Sequence, residues 1–143
     1  MFERYTEGAK RTVFFARSEA AQLGPDEITP DHLLLGLLRT ANPSVSRFIP
    51  ADKAESVRNK IQGHTPLRPP IPKGKDLPLS KDGKILLANA ASEAGGLSHR
   101  HIGPEHFLLA ILRQKRWFAA KVVREQGLEY SEVRAEIARD TGD

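Results

Sequence analysis

The 143 residues contain no cysteine, which removes disulfide bridges and thiol nucleophiles from consideration. No apolar run approaches the roughly 20 residues that a membrane-spanning helix needs. Met1-Phe2-Glu3-Arg4-Tyr5-Thr6-Glu7 carries acids where a secretory leader would carry an apolar stretch. These absences predict a soluble, cytoplasmic protein. Also missing from these residues is a glycine-rich phosphate loop ending in Gly-Lys-Ser/Thr, so ATP hydrolysis has no apparatus here. Ser18 and Ser92 read as small packing residues on helices, and no Ser/His/Asp set can be assembled. An enzyme reading has no residues in its favour, and no cofactor or metal is called for.

Basic residues outnumber acidic ones, 22 to 18, for a formal charge of +4 and a pI near 9.6. The two signs are interspersed, whereas nucleic-acid binders usually concentrate Lys and Arg on one face or in a tail. Two local clusters exist: Arg68, Lys73, Lys75 and Lys81, and Arg113-Gln114-Lys115-Arg116-Trp117. They read as solvated surface, and charge alone supports the alternative of a small basic nucleic-acid-associated helical protein.

What the chain does have is a duplication. Residues 6–49 recur without a gap at 80–123: Thr6 falls on Ser80, Ser18-Glu19-Ala20 on Ser92-Glu93-Ala94, and Ile28 on Ile102. The best stretch lays Thr29-Pro30-Asp31-His32-Leu33-Leu34-Leu35-Gly36-Leu37-Leu38-Arg39 over Gly103-Pro104-Glu105-His106-Phe107-Leu108-Leu109-Ala110-Ile111-Leu112-Arg113. A period this long is one helical subdomain used twice, and two copies can bury their apolar faces against each other. We expect an all-α, pseudo-twofold single domain over 1–143, with repeat one at 1–63, a connector at 64–78 and repeat two at 79–143. Four prolines between Pro66 and Pro72 make that connector extended.

The helices are legible from their punctuation. Thr6 and Ser80 are N-cap candidates, and apolar residues follow each at the three-to-four spacing of a buried stripe. Gly24 can end the first helix, while Gly95-Gly96 should weaken the last turn of its counterpart. The second helices start at Thr29-Pro30 and Gly103-Pro104, with Pro at the first helical position and an acid in the first turn. Their apolar runs must be central. Third helices are predicted at about Ser44–Ile49 and Trp117–Gln126. In the fourth pair, Val57 and Ile61 match Val133 and Ile137 after a two-residue shift, consistent with an insertion at Gln126-Gly127-Leu128.

These residues, above all Ile28-Thr29-Pro30-Asp31-His32-Leu33 and Ile102-Gly103-Pro104-Glu105-His106-Phe107, resemble the double Clp-N motif. This is the N-terminal domain of the Clp/Hsp100 unfoldases, and the likeness is closest to the ClpC type. The resemblance covers essentially the whole chain. It implies a bundle of about eight helices that acts as a docking module for a Clp ATPase, adaptors or substrate proteins and has no chemistry of its own.

ClpC-type domains recognise phosphorylated arginine through an acid early in the second helix of each repeat. By position those acids are Asp31 and Glu105, at helix starts capped by Thr29 and Gly103. Helix N-terminal amides can hold a phosphoryl group while a carboxylate takes the guanidinium. Asp31 is one methylene shorter than the glutamate usual at that place. On the residues alone, both acids also read as ordinary helix-dipole complementation. The docking reading requires them to be presented outward.

Three further features bear on function. His32 and His106 read as buried rings bonded to nearby backbone. His99-Arg100-His101 with His106 matches no recognised zinc spacing and reads as a loop. Trp117, with Arg116 before it and Phe118 after it, is either a partner anchor or a lid on the core; the aligned Pro43 and Ser44 show that symmetry does not demand the rings.

Overall fold

The computed structural model describes residues 3–24, 26–65, 69–71 and 76–140. Much of the expected connector lies outside the described residues. Eight helices and no strand of regular length are found among the described ones. In chain order they are α1 Glu7–Leu23, α2 Pro30–Thr40, α3 Pro43–Ser46, α4 Ala51–His64, α5 Lys81–Gly96, α6 Pro104–Arg113, α7 Phe118–Arg124 and α8 Tyr130–Arg139.

Local chemistry sets the helix ends. Thr6 Oγ1 accepts from the Ala9 amide at 3.1 Å, and Ser80 Oγ accepts from Gly83 at 2.9 Å, so both hydroxyls satisfy an orphan first-turn donor. Gly24, at φ 86°, closes α1 in the left-handed conformation that only glycine adopts without cost. The corresponding end of α5 differs from expectation. It runs through both Gly95 and Gly96, and the chain turns at Ser98, φ 60°. His99 N–H caps it by donating to Ala94 O at 2.9 Å, which offsets the weak helix preference of the paired glycines.

Helices α2 and α6 form the centre. Leu33, Leu34, Leu35 and Leu37, with Phe107 through Leu112, are each no more than 4% exposed, as runs that are apolar nearly all round must be. Around them α4 contributes Val57 and Ile61 and α8 contributes Val133 and Ile137, the pairs expected from the shifted alignment. α3 is shorter than expected. Asn42 caps it through Oδ1, and after Ser46 the chain continues as turns that bond Phe48 and Ile49 back to Val45.

The two halves clasp each other reciprocally. Ile102 N donates to Arg4 O at 2.8 Å and Thr6 N to Ile102 O at 3.0 Å; at the equivalent places Ile28 N donates to Pro78 O and Ser80 N to Ile28 O, both at 2.9 Å. Each half's lead-in thus pairs, in a single parallel bridge, with the segment before the other half's central helix. Equivalent residues make equivalent bonds across the divide, as a pseudo-twofold requires.

A second repeated feature was not read from the sequence. Glu19 and Glu93 are buried, at 8% and 5% side-chain exposure, and bind Arg39 at 3.2 Å and Arg113 at 3.3 Å, so each ties the first helix of its half to the second. The remaining valences are met differently. Arg58 of α4 reaches Glu19 at 3.3 Å, and the Tyr130 hydroxyl of α8 donates to Glu93 at 2.6 Å. A buried carboxylate is tolerated only when paired and hydrogen-bonded in this way.

Candidate functional site

Both central helices open with an unusual cap. Pro30 and Pro104 bring no N–H to the first turn, and the histidine two positions later folds back. His32 Nδ1 accepts from the Thr29 amide and His106 Nδ1 from the Gly103 amide, each at 2.9 Å. Histidine here fills the place of the Glu or Gln of a capping box. Both rings are buried, as the sequence implied.

Burial holds the His32 ring well below its ordinary range, to about 4. The unfolded chain takes up this proton near pH 6.5, the folded chain only near 4, so stability is lost as pH falls through that window. Between pH 7 and 5 about 2 kcal/mol should disappear through this ring alone. His32→Gln keeps an acceptor for the Thr29 amide but cannot titrate. Urea unfolding at both pH values should show wild type losing about 2 kcal/mol more than the variant; equal losses would show that the ring charges without cost.

The carboxylate between proline and histidine faces different surroundings in each half. In the first half, Thr29, Pro30 and Asp31 line a cleft of about 210 Å³ together with Asp82 of α5 and Trp117 and Phe118 at the start of α7. His64, at the end of α4, stacks on Phe118 with ring centroids 3.7 Å apart and places Nδ1 3.9 Å from Asp31 Oδ2. Burial pushes the Asp31 carboxyl above its usual range, and His64 opposes that shift. Two carboxylates beside two aromatic faces suit a guanidinium or ammonium group.

At the matching place in the second half the packing is tight. Gly8, the counterpart of Asp82, lies so close that a Cβ on it would come 2.8 Å from Asn42 Nδ2 and 3.0 Å from Pro104 Cγ. Gly103 is buried, and Glu105 turns to His101, Oε2 to Nε2 3.6 Å. The structure therefore gathers Thr29, Asp31 and Trp117 and leaves Gly103 and Glu105 elsewhere. Neither acid is displayed as freely as the docking reading required: the Asp31 and Glu105 side chains are 22% and 15% exposed. Asp31 is reached through the cleft. Trp117 is half-buried, packing against the core and lining the cleft at once, while Arg116 is exposed beside it and does not line the cleft.

Three contributors were missed. Asp82 and His64 come from other helices, and only the fold brings them to Asp31. Phe14, 67% exposed on α1, is the third; with Tyr5, Val13, Ile28, Leu77 and Leu79 it lines a second, apolar groove of about 680 Å³. Its position one residue off the buried stripe was the available signal. No helix among the described residues is long and apolar enough to cross a membrane.

Comparison with known proteins agrees with this architecture. Residues 4–138 match the model of the Clp repeat (R) N-terminal domain. A Clp protease ATP-binding subunit, the ClpA homolog of Guillardia theta, is 30% identical over the whole chain, which spans 18% of that relative. The chloroplastic chaperone protein ClpC1 of Arabidopsis thaliana is 29% identical, with the chain spanning 16% of its length. The chain thus spans under a fifth of these relatives. Among solved structures, the N-terminal domain of ClpD from Arabidopsis thaliana superposes with a TM-score of 0.76 at 23% identity, covering 99% of this chain and 97% of that one. The Hsp104 N-terminal domain of Candida albicans gives 0.76 at 20% identity, covering 98% and 93%. By the reach of the family match and the repeated helix starts that carry it, the chain belongs to the Clp repeat (R) N-terminal domain family.

Proposed function

We propose that this chain is a non-catalytic protein-interaction module of a Clp protease or chaperone system, docking substrates or adaptors of a Clp ATPase through a cationic side chain. The observation that carries this reading is the cleft in which Asp31 and Asp82 share walls with Trp117 and Phe118. A guanidinium entering it meets carboxylates for charge-assisted hydrogen bonds and ring faces for cation–π contact. A phosphorylated arginine adds a phosphoryl group that the positive end of α2 can hold, so both ends of the modified side chain are read. Family membership supports the docking role. Asp31 is the residue proposed to pair with the guanidinium, with Thr29 shaping the helix start and Trp117 supplying a ring face. Glu105 and Gly103 are assigned the weaker part, since their half is closely packed at the matching place.

Fluorescence anisotropy with peptides carrying phosphoarginine, arginine or citrulline tests this. Asp31→Asn should weaken the phosphoarginine peptide about tenfold or more, the scale of a lost charge-assisted hydrogen bond, and Trp117→Ala should act in the same direction. Glu105→Gln should change affinity less than Asp31→Asn does. Binding that ignores both Asp31 and Trp117 would remove the cleft from the docking role. Equal affinity for the citrulline peptide would remove the guanidinium.

A further inference from the structure

The two halves furnish one matching place differently. The register that lays Val57 on Val133 and Ile61 on Ile137 also puts Ala54 on Tyr130 and Arg58 on Arg134. In the second half the Tyr130 ring packs against the core, and its hydroxyl lies 2.6 and 2.8 Å from the two carboxylate oxygens of Glu93. The first-half counterpart, Ala54, ends at a methyl group. Beside it lies a recess of about 320 Å³, lined by the buried Leu37, Val45 and Ile49 and by Leu38 and Arg58. Their second-half counterparts Ile111, Ala119 and Val123 are buried as well.

The missing ring also accounts for where the two arginines point. Glu93 is satisfied by Arg113 and the phenol, and Arg134 turns instead to Gly96 O at 3.3 Å. Glu19 has Arg39 but no phenol, and Arg58 reaches it at 3.3 Å. A buried carboxylate needs its valences filled, and the fold fills them in two ways. The recess is at the low end of the roughly 300–1,000 Å³ of small-ligand pockets, which suits a single ring.

We infer that this recess takes a tyrosine side chain presented by a partner protein, held as Tyr130 is held in the other half. The ring lies on Leu37, Val45 and Ile49, an aliphatic wall that supplies the burial an aromatic anchor needs. Its hydroxyl donates to Glu19 Oε1. Arg58 gives up that oxygen and turns to the carbonyl of Gln22, the counterpart of Gly96. Arg39 stays on Oε2, so the carboxylate keeps a balancing charge. A phenylalanine ring has no proton to donate there, so the carboxylate selects a phenol. The recess shares no lining residue with the Asp31 cleft, and the two can be engaged independently.

Methyl-resolved NMR of the purified chain titrated with p-cresol, the tyrosine side chain as a free molecule, tests the site. Saturable shifts at Leu37, Leu38, Val45 and Ile49 are expected, with a Kd of about 1–10 mM. Toluene, which lacks the hydroxyl, should bind about fivefold more weakly. Ala54→Tyr supplies the ring from within the chain and should weaken p-cresol binding at least about tenfold. Where that variant does not fold, the wild-type shift map decides by itself. The inference is overturned by the absence of saturable shifts at these methyl groups, by shifts confined to the groove at Phe14 and Leu79, or by toluene binding as tightly as p-cresol. Ala54→Tyr binding p-cresol as tightly as wild type would overturn it too. Because the probe carries no guanidinium, its failure leaves the docking cleft untouched.

Discussion

Alanine at position 36 should cost the fold about 3 kcal/mol or more. Gly36 sits where α2 crosses α1, and a Cβ there would collide with the carbonyl oxygen of Thr12 and come 2.7 Å from Ala16 N and 3.1 Å from Ala16 Cα. All three obstacles are backbone atoms, so no rotamer change relieves them; the two helices must separate, and the leucines packed beside the crossing lose contact with them. The better helix preference of alanine returns at most about 1 kcal/mol. The equivalent residue in the other half is Ala110, fully buried, so α5 and α6 leave room for a methyl group that α1 and α2 do not. Gly95→Ala is the control. Nothing lies within 4 Å of a Cβ at that helical position, and the substitution should stabilise by about 0.5–1 kcal/mol. Urea unfolding of both variants checks the pair, and a loss below about 1 kcal/mol for Gly36→Ala would show that the crossing yields easily.

Phe107→Ala should be comparably damaging, at about 3–5 kcal/mol. Phe107 is 1% exposed at the centre of α6 and meets the Tyr5 ring edge-on, with centroids 5.5 Å apart and planes at 70°. Tyr5 lies in the bridge to Ile102, so the cavity would open beneath one of the two inter-half pairings. Phe107→Leu installs the residue found at the equivalent Leu33 and should cost only about 1–1.5 kcal/mol. Amide exchange at Thr6 and Ile102, which form that pairing, should accelerate in the alanine variant more than exchange at Ile28 and Ser80. Equal stabilities for the alanine and leucine variants would mean that the ring fills no space the fold depends on.

The repeat, the caps and the central helices were legible because they rest on local rules: a hydroxyl before a helix, proline in its first turn, apolar residues at a fixed spacing. Even the shifted match of Val57 and Ile61 to Val133 and Ile137 identified the buried residues of the outer helices. Extra hydrogen bonds were not legible: the His99 amide holds the end of α5 through two glycines that would otherwise let it fray. Nor was the burial of Glu19 and Glu93, since a carboxylate on a helix reads as surface until its arginine is seen on the neighbouring helix.

For the site, the alignment gave Asp31 and Glu105 as equals. Their difference comes from residues of the opposite half. Asp82 borders an open cleft beside Asp31, whereas Gly8 admits Asn42 and Pro104 to close contact near Glu105. A comparison of each repeat with itself holds no information about what the other repeat places across from it. The meeting of His99, His101 and His106 was hidden for a related reason: the first two lie in a loop whose path, not whose spacing, carries a ring nitrogen of each to within 4.8 Å of the third.

The reciprocal clasp also has an ancestral consequence. Two separate copies of a single unit, related by a true dyad, could make the Arg4, Thr6 and Ile102 bonds and the Pro78, Ser80 and Ile28 bonds as one identical set. Such a homodimer would be bound to carry both of its carboxylate sites alike, because any substitution enters both subunits. Joining the copies into one polypeptide lifts that constraint, and one side can then keep an open recess while the other gathers imidazoles.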